Sequence, residues 1–477
     1  MEVFVGVKTY NRLPYFKKWV NTFIKTTDKN NNYTVVINDD GSCDNTRAYM
    51  KRLPTLPNVR WVLMYSDKKG TYYSTNQIFS VADRLEFDIG FMCDDDMFFL
   101  KKGWDELYYK ATTESNIGHL SHFSTDWSKP ILNLKKESLK SHCSAYDSQG
   151  AFYSFTKEVL DKVGYIDERN FGRRGEGHRD WSVRACRAGY NEVENLWDAK
   201  GSEDYIKLQK REEYIRTPKY DEEVQIASAE TSKKRRIMRK KNRIRVEDSI
   251  SFLNRYFEQI YCINLQKRPD RKRKCVRFFN KLKMEVKFWR AVDGNRSSEA
   301  KEILNTTKPK YPLNLGMIGC HLSHLNVYKD ANKKRYERFL ILEDDIIPHK
   351  QIDKVLGNLL EVENDWSLLY LSTCDWNWEN NKKNVKEGQP WYKGKKIDGT
   401  SGYAIKREVI KELIELFEQP VIMPCDTRLH KIHEEKECYV MYPQPFIADV
   451  RDSDLRDGRN IEEYAKKVNW NINDYQI

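Results

Sequence analysis

The spacing of hydrophobic and polar residues changes rhythm along the chain, and each rhythm predicts an element. Val3, Val5 and Val7 recur at every second position, the period of a strand. Apolar runs at residues 33–37, 59–64 and 87–93 predict three more strands. Between them, residues 14–26, 44–53 and 72–85 have the length and spacing of helices. Strands separated by helices of this size predict a mostly parallel, doubly wound α/β sheet reaching to about Gly201.

A polar, charged stretch follows at about 204–248, with few core-forming residues, and then the rhythm restarts. Strands are predicted at 259–265, 286–289, 339–343 and 366–371, and helices at 270–282 and 318–332. Two α/β domains in tandem fit this better than one large sheet. The expected division is a first domain at 1–210, a charged basic linker at 211–252 and a second domain at 253–477.

Composition refines the picture. At 477 residues the chain is long enough for two or three domains, and 39% hydrophobic content with 13% aromatics excludes a disordered protein. The 83 Lys and Arg against 71 Asp and Glu give a net charge of +12. Nine basic residues and no acidic one lie at 233–245, so the rest of the chain carries only +3. The charge therefore marks a joint between domains, and no nucleic-acid partner is expected. Peripheral contact with an anionic membrane through 233–245 is the alternative to a solvated linker. No apolar run approaches the ~18 residues of a membrane span, and the N-terminus reads as a strand rather than a signal peptide. A cytoplasmic protein is expected. Its ten cysteines stand singly, without zinc-type spacing, as reduced thiols would.

The candidate chemistry lies in acidic clusters at strand ends, where open α/β sheets bind ligands. In Val35-Val36-Ile37-Asn38-Asp39-Asp40-Gly41-Ser42, an aspartate can accept hydrogen bonds from a nucleobase or ribose. The same residues also fit a turn and helix cap, with Ser42 or Asp44 capping. Phe91-Met92-Cys93-Asp94-Asp95-Asp96-Met97-Phe98-Phe99 puts three carboxylates in an apolar strand. Strand alternation would turn Asp94 and Asp96 to one side and Asp95 to the other. Like charges so close call for a hard divalent cation. Phe339-Leu340-Ile341-Leu342-Glu343-Asp344-Asp345 repeats this logic, with Glu343 and Asp345 expected on one face. Arg268 and Arg271, after the strand at 259–265, can pair with phosphates or stand at an exposed helix start. His321 and His324, three apart on a helix, read as structural rather than as a metal pair.

The first set of motifs resembles the nucleotide-diphospho-sugar transferases of the GT-A fold, specifically glycosyltransferase family 2. The resemblance implies that Asp39, with Asp40, meets the nucleotide, that Asn76 lies in the family's Gly-and-Asn segment, and that Asp94 and Asp96 form the DxD metal–diphosphate site. It implies an acceptor-side general base at Glu176 or Asp180, where Gly177 breaks the usual Glu-Asp pair. The second set, INLQKRPDR, AVDG, IGCHLSH and LILEDD, is similar to glycosyltransferase family 25, which includes lipooligosaccharide and procollagen galactosyltransferases. That resemblance implies a metal–donor site at Glu343, Asp344 and Asp345, nucleotide contacts at Arg268, Arg271 and Asp293, and an acceptor base at Asp426. It also makes residues 449–459 a loop over the diphosphate. Together the resemblances imply two tandem GT-A domains with α/β, Rossmann-like sheets. They imply an inverting, Mn²⁺- or Mg²⁺-dependent transferase that moves sugars from a nucleotide-diphospho-sugar, commonly a UDP-sugar. The acceptor would be a glycan, lipooligosaccharide or collagen-like protein. Either both domains are active, or only the second is and the first is an acceptor-binding or structural module. Nucleotidyltransfer, a rival use of sheet-end carboxylates, lacks its Gly-rich loop after Lys8.

Overall fold

The computed structural model describes residues 1–123, 138–209, 233–235, 237–238, 243–308, 311–454 and 458–477. They form two compact units, Met1–Ser249 and Ile250–Ile477. Most of the expected linker at 211–252 lies outside the described residues.

In the first unit, β1 (Glu2–Thr9), β2 (Asn32–Asp39), β3 (Val59–Tyr65) and β4 (Ile89–Asp94) are parallel neighbours in the order β3-β2-β1-β4. The helices Leu13–Thr26, Thr46–Met50 and Thr71–Ala82 connect them, close to the expected positions. β5 (Met97–Phe99), β6 (His119–Ser121), β7 (Leu139–Cys143), β8 (Phe152–Phe155), β9 (Leu196–Ala199) and β10 (Ile206–Leu208) follow. β8 runs antiparallel to β4, and β6 antiparallel to β8, completing six strands. β8 is a short run, Phe152-Tyr153-Ser154-Phe155, that periodicity alone does not separate from a helix segment, and β6 has a single apolar residue, Leu120.

The helix Leu13–Thr26 turns Phe16, Trp19, Val20 and Phe23 into the core, a three-and-four spacing that covers one face of the sheet. Trp19 stacks on Phe23 at 5.2 Å, and Phe23 meets Phe99 edge-on at 5.7 Å. Phe99 follows Asp94–Asp96 in sequence, so this packing anchors the far side of the acidic turn. Burying each such side chain stabilises the unit by about 1.5–3 kcal/mol.

The second unit repeats the plan. β11 (Gln259–Asn264) lies between β12 (Lys287–Arg290) and β13 (Arg338–Glu343), both parallel to it. β14 (Ile346–Pro348), β15 (Leu368–Cys374), β16 (Trp391–Lys393), β17 (Asp398–Lys406), β18 (Cys438–Met441) and β19 (Phe446–Ala448) complete it, with a main sheet ordered β12-β11-β13-β17-β15-β18-β16. β17 is antiparallel to β13, as β8 is to β4. In each unit the short strand after the acidic turn pairs with a late strand, β5 with β10 and β14 with β19. Among the described residues, no helix is long and apolar enough to cross a membrane. All ten cysteines are free thiols.

Candidate active sites

In the first unit, β4 runs beside β1 with Lys8 opposite Asp94. Pairing with β8 stops at Cys93, the strand ends at Asp94, and Asp95 and Asp96 occupy the turn before β5. The expected alternation is therefore corrected: it holds only within a strand, and two of the three carboxylates are beyond it. Lys8 pairs with the half-exposed Asp94 at 2.7 Å. Arg12 spans the other two, one end 2.9 Å from Asp95 and the other 2.9 Å from Asp96, while Thr9 donates to Asp95 at 2.8 Å. Burial pushes the Asp95 carboxyl up to about 7 against the pull of Arg12, with Asp96 adding to the rise. One oxygen of Asp96, Oδ1, is buried without a hydrogen-bond partner.

At the end of β2, the backbone turns through Gly41 at a φ of +87°, where an added Cβ would press on the backbone nitrogen of Lys68 at 3.0 Å. Asp39 is fully buried. Its Oδ2 accepts from Arg47 at 2.6 Å and from the Ser42 amide at 3.1 Å, and its Oδ1 has no partner. That oxygen suits a nucleobase or ribose donor. Asp40 instead accepts from Ser66 and from the Lys69 and Gly70 amides, fastening the 66–70 loop. Burial raises its pKa despite these bonds. Asn76 is buried on the helix Thr71–Ala82 and exchanges two hydrogen bonds with the backbone of Ile166, at 2.9 and 2.8 Å. It also donates to Glu168. These contacts tie the helix Thr71–Ala82 to the segment at 166–168.

The two acceptor-side carboxylates are already paired. Glu176, at the start of the helix Gly177–Arg187, lies 2.6 Å from Arg179 and 3.5 Å from Arg235. Asp180 holds the fully buried Arg184 at 2.8 Å, and that guanidinium donates to the carbonyls of Val163, Tyr165 and Ile244. Asp180 is thus tied to a fully buried arginine, whereas the arginines beside Glu176 are partly exposed. The described part of the basic run is only partly solvated: Lys233 and Arg245 are exposed, and Lys234 is buried. Arg235 also reaches Asp147 at 3.8 Å, Arg243 pairs with Asp167 and lies 3.9 Å from Asp180, and Met238 is buried. These arginines meet acids of their own unit, which a sequence count of charge does not reveal.

The second unit builds the same corner with other residues. β13 ends at Glu343, opposite Ile263 of β11, and Asp344 and Asp345 form the turn before β14. The expected pairing of Glu343 and Asp345 on one strand face is corrected for the same reason. Asn264 donates to Asp344 at 2.6 Å, where Thr9 donates to Asp95 in the first unit. Arg271 lies 3.0 Å from Asp344 and 3.8 Å from Asp345. Asp345 Oδ1 is buried without a partner, and burial, together with the nearby Glu343, pushes this carboxyl up to about 8. Glu343 behaves oppositely. Burial would raise it, but His324 at 3.1 Å and Thr400 at 2.6 Å hold it below its ordinary value.

The remaining expected residues surround this corner. Arg268 pairs with Asp270 at 2.8 Å, with Asp454 at 2.7 Å and with Asp452, and Arg271 lies 3.6 Å from Asp452 and 3.5 Å from Asp454. Asp293 sits in a turn, 3.6 Å from Lys267 and 3.9 Å from Arg296. Asp426 lies in the first turn of the helix Cys425–Glu435, its two oxygens accepting the Gly399 amide at 3.1 Å and the Thr427 amide at 2.8 Å. His321 stacks on Phe417 at 4.6 Å and bonds its carbonyl, the structural role expected of it.

Residues 4–154 match the family model for Glycosyl transferase family 2, and residues 257–429 match Glycosyltransferase family 25 (LPS biosynthesis protein). Two glycosyltransferase family segments stand in tandem. With the two sheets, they agree with the tandem α/β transferase organisation expected from sequence. The chain is 30% identical over 202 residues to Procollagen galactosyltransferase 2 of Homo sapiens, covering 38% of this chain and 32% of that protein. It is 31% identical over 189 residues to a Glycosyltransferase 25 family member of Aedes aegypti, covering 35% and 29%. The match thus spans about a third of the length of these relatives. Among solved structures, the mannosyltransferase PcManGT from Pyrobaculum calidifontis, in complex with GDP-Man and Mn²⁺, aligns at a TM-score of 0.31 and 18% identity over 39% of this chain and 52% of that one. That likeness is too slight to add to the fold.

Several residues of the two transferase corners escape a motif reading. Lys8 and Thr9 end β1 and Arg12 follows it in Lys8-Thr9-Tyr10-Asn11-Arg12, and their one signal is their place at a strand end, as with Arg268 and Arg271. Asn264, Thr400 and Cys320 reach the second corner from three separate segments, which no local pattern links.

Proposed function

We propose that the chain is a glycosyltransferase that moves a hexose from a nucleotide-diphospho-sugar, most readily a UDP-sugar, to a hydroxyl of a glycan, lipooligosaccharide or collagen-like protein. The observation that carries this reading is the repeated corner: three carboxylates at the end of a central parallel strand, crossed by an arginine from the start of the helix that follows the neighbouring strand. In each corner one aspartate oxygen, Asp96 Oδ1 or Asp345 Oδ1, is buried without a hydrogen-bond partner. A hard divalent cation with oxygen ligands fits such an atom. Asp94 and Asp96 would hold it in the first unit, and Glu343, Asp344 and Asp345 in the second. Bound there, Mn²⁺ or Mg²⁺ supplies charge neutralisation for the departing nucleoside diphosphate.

The chain's own groups do the rest. Arg268 and Arg271 orient the diphosphate by charge-assisted hydrogen bonds, and Asp293 lies within the same basic cluster. Asp426 takes the acceptor proton as its oxygen attacks the anomeric carbon with inversion. In the first unit Asp39 recognises the nucleotide and Glu176 is the proton acceptor. A second reading has a specific support: Glu176 is held between Arg179 and Arg235, which favours a first unit that binds acceptor without catalysing transfer. Screening UDP-sugars for Mn²⁺-dependent hydrolysis and transfer, one donor at a time, tests the proposal. Turnover of none of them by the full chain would overturn it.

A further inference from the structure

Among the described residues, one group of three metal-ligating side chains has all its ligand atoms within 4.8 Å of one another: Cys320, His324 and Glu343. Only Glu343 belongs to the carboxylate corner. Cys320 and His324 come from one face of the helix Leu315–Lys334, four residues apart, and both look at the end of β13. The three atoms are a thiol, an imidazole nitrogen and a carboxylate oxygen. This donor set differs in kind from the all-oxygen corner formed by Asp344 and Asp345, because thiolate and imidazole select zinc-class ions over Mg²⁺ or Mn²⁺.

Two neighbouring features fit a metal. His324 presents Nε2 to Glu343 at 3.1 Å, while its Nδ1 lies 2.8 Å from the Tyr403 hydroxyl, which in turn meets the Tyr328 hydroxyl. As the side chains stand, Nε2–H donates to Glu343; when an ion takes the Nε2 lone pair, the proton moves to Nδ1 and the Tyr403 hydroxyl is placed to accept it, fixing the ligating tautomer. Thr400 likewise orients Glu343, donating to it at 2.6 Å. The second feature is Cys425, whose sulfur lies 3.6 Å from that of Cys320. Two thiolates on one tetrahedral zinc, each ~2.3 Å from it, stand ~3.8 Å apart. Both sulfurs are free thiols.

We infer that Cys320, His324 and Glu343, with Cys425 in reach through Cys320, form a zinc-class metal site that shares Glu343 with the carboxylate corner of the second unit. It would pin the helix Leu315–Lys334 and the helix start at Cys425 to the strand end that carries Glu343. Metal binding displaces the two thiol protons, so the site carries two thiolates, one carboxylate and one neutral imidazole around the ion. The inference is independent of sugar transfer, since its readouts are metal content and absorption.

The test uses the full chain, purified under reducing conditions, stripped with chelator and titrated with Co²⁺. With excess Mg²⁺ present to fill the carboxylate corners, the expected result is one equivalent of Co²⁺ that carries a thiolate-to-cobalt charge-transfer band and is displaced by Zn²⁺. Cys320→Ser should weaken Co²⁺ binding by at least ~100-fold, Cys425→Ser should cut the band to about half, and Tyr403→Phe should weaken binding by ~10–100-fold with the band's shape unchanged. Tyr403→Phe removes only a hydroxyl, so it stays informative if the cysteine variants fail to fold. Co²⁺ binding without a thiolate band, a band that survives Cys320→Ser, or a Cys320–Cys425 disulfide that persists under reducing conditions would overturn the inference.

Discussion

Arg12 of the first unit and Arg271 of the second make the same contact: each lays its guanidinium on the middle carboxylate of an acidic triad, 2.9 Å from Asp95 and 3.0 Å from Asp344. Each also reaches the third carboxylate, Asp96 at 2.9 Å and Asp345 at 3.8 Å. A fixed cation thus shares each corner with the place proposed for a mobile one. The closer hold of Arg12 makes the first corner the less dependent on metal.

Removing Arg12 leaves two buried carboxylates without their partner. Arg12→Met should destabilise the first unit by about 3–5 kcal/mol without divalent cation, and Mn²⁺ should restore more stability to the variant than to the wild type. Chemical denaturation with and without Mn²⁺ measures both. Equal stabilisation by Mn²⁺ in the two proteins would show that the ion binds elsewhere.

Asp426 accepts two backbone amides and keeps its carboxylate at a helix start. Asp426→Asn keeps the side chain's shape and one of the two amide bonds, and removes the basicity. The transfer rate should fall by roughly 10²–10⁴-fold while UDP binding stays within about twofold. A matching loss of UDP affinity, read by calorimetry, would assign Asp426 to donor binding instead.

Asp452 and Asp454 hold Arg268 and Arg271, the side chains proposed to meet the diphosphate. A diphosphate must compete with them. Converting both to Asn should tighten UDP binding by roughly threefold to tenfold, since an exposed ion pair contributes about 0.2–1 kcal/mol. Weaker UDP binding would mean that these acids belong to the nucleotide site.

His119 is buried, bonding the Ser154 carbonyl and the Ser182 hydroxyl at 3.0 Å each, and burial lowers its pKa from 6.5 to about 4. Between those values the unfolded chain binds the additional proton. The stability it contributes is whole above pH 6.5 and is lost as pH falls through 6.5 towards 4. At about pH 5 the loss is about 2 kcal/mol. The stability gap between wild type and His119→Gln should narrow by that amount from about pH 7.5 to about pH 5. A gap constant with pH, by denaturant titration, would mean that this imidazole ionises freely.

The parallel half of each sheet is legible in the chain because every strand there is a short apolar run with a helix behind it. The antiparallel strands are not, because β8 and β17 are defined by what they pair with, Cys93 and Leu342 among others. The acidic triads are legible as clusters but not in their geometry, since Asp95, Asp96, Asp344 and Asp345 lie in turns where strand alternation ends. The arginines of the basic run can be counted from sequence, while their partners Asp147, Glu176 and Asp167 lie 59 or more positions away in the chain. For His324 the spacing from His321 is the only sequence clue, and it points to a structural role. Its contact with Glu343 depends on helix Leu315–Lys334 crossing the end of β13.

The central claim is that the carboxylate corners hold donor and metal, and separate inactivation of the corners tests it most directly. Full-length Glu343→Gln/Asp345→Asn and Asp94→Asn/Asp96→Asn proteins would be assayed for Mn²⁺-dependent hydrolysis and transfer from the preferred UDP-sugar. A loss of roughly 100-fold or more is expected in the first variant. Loss of a distinct transfer product is expected in the second if the first unit is catalytic. Wild-type rates and products in both variants would contradict the claim.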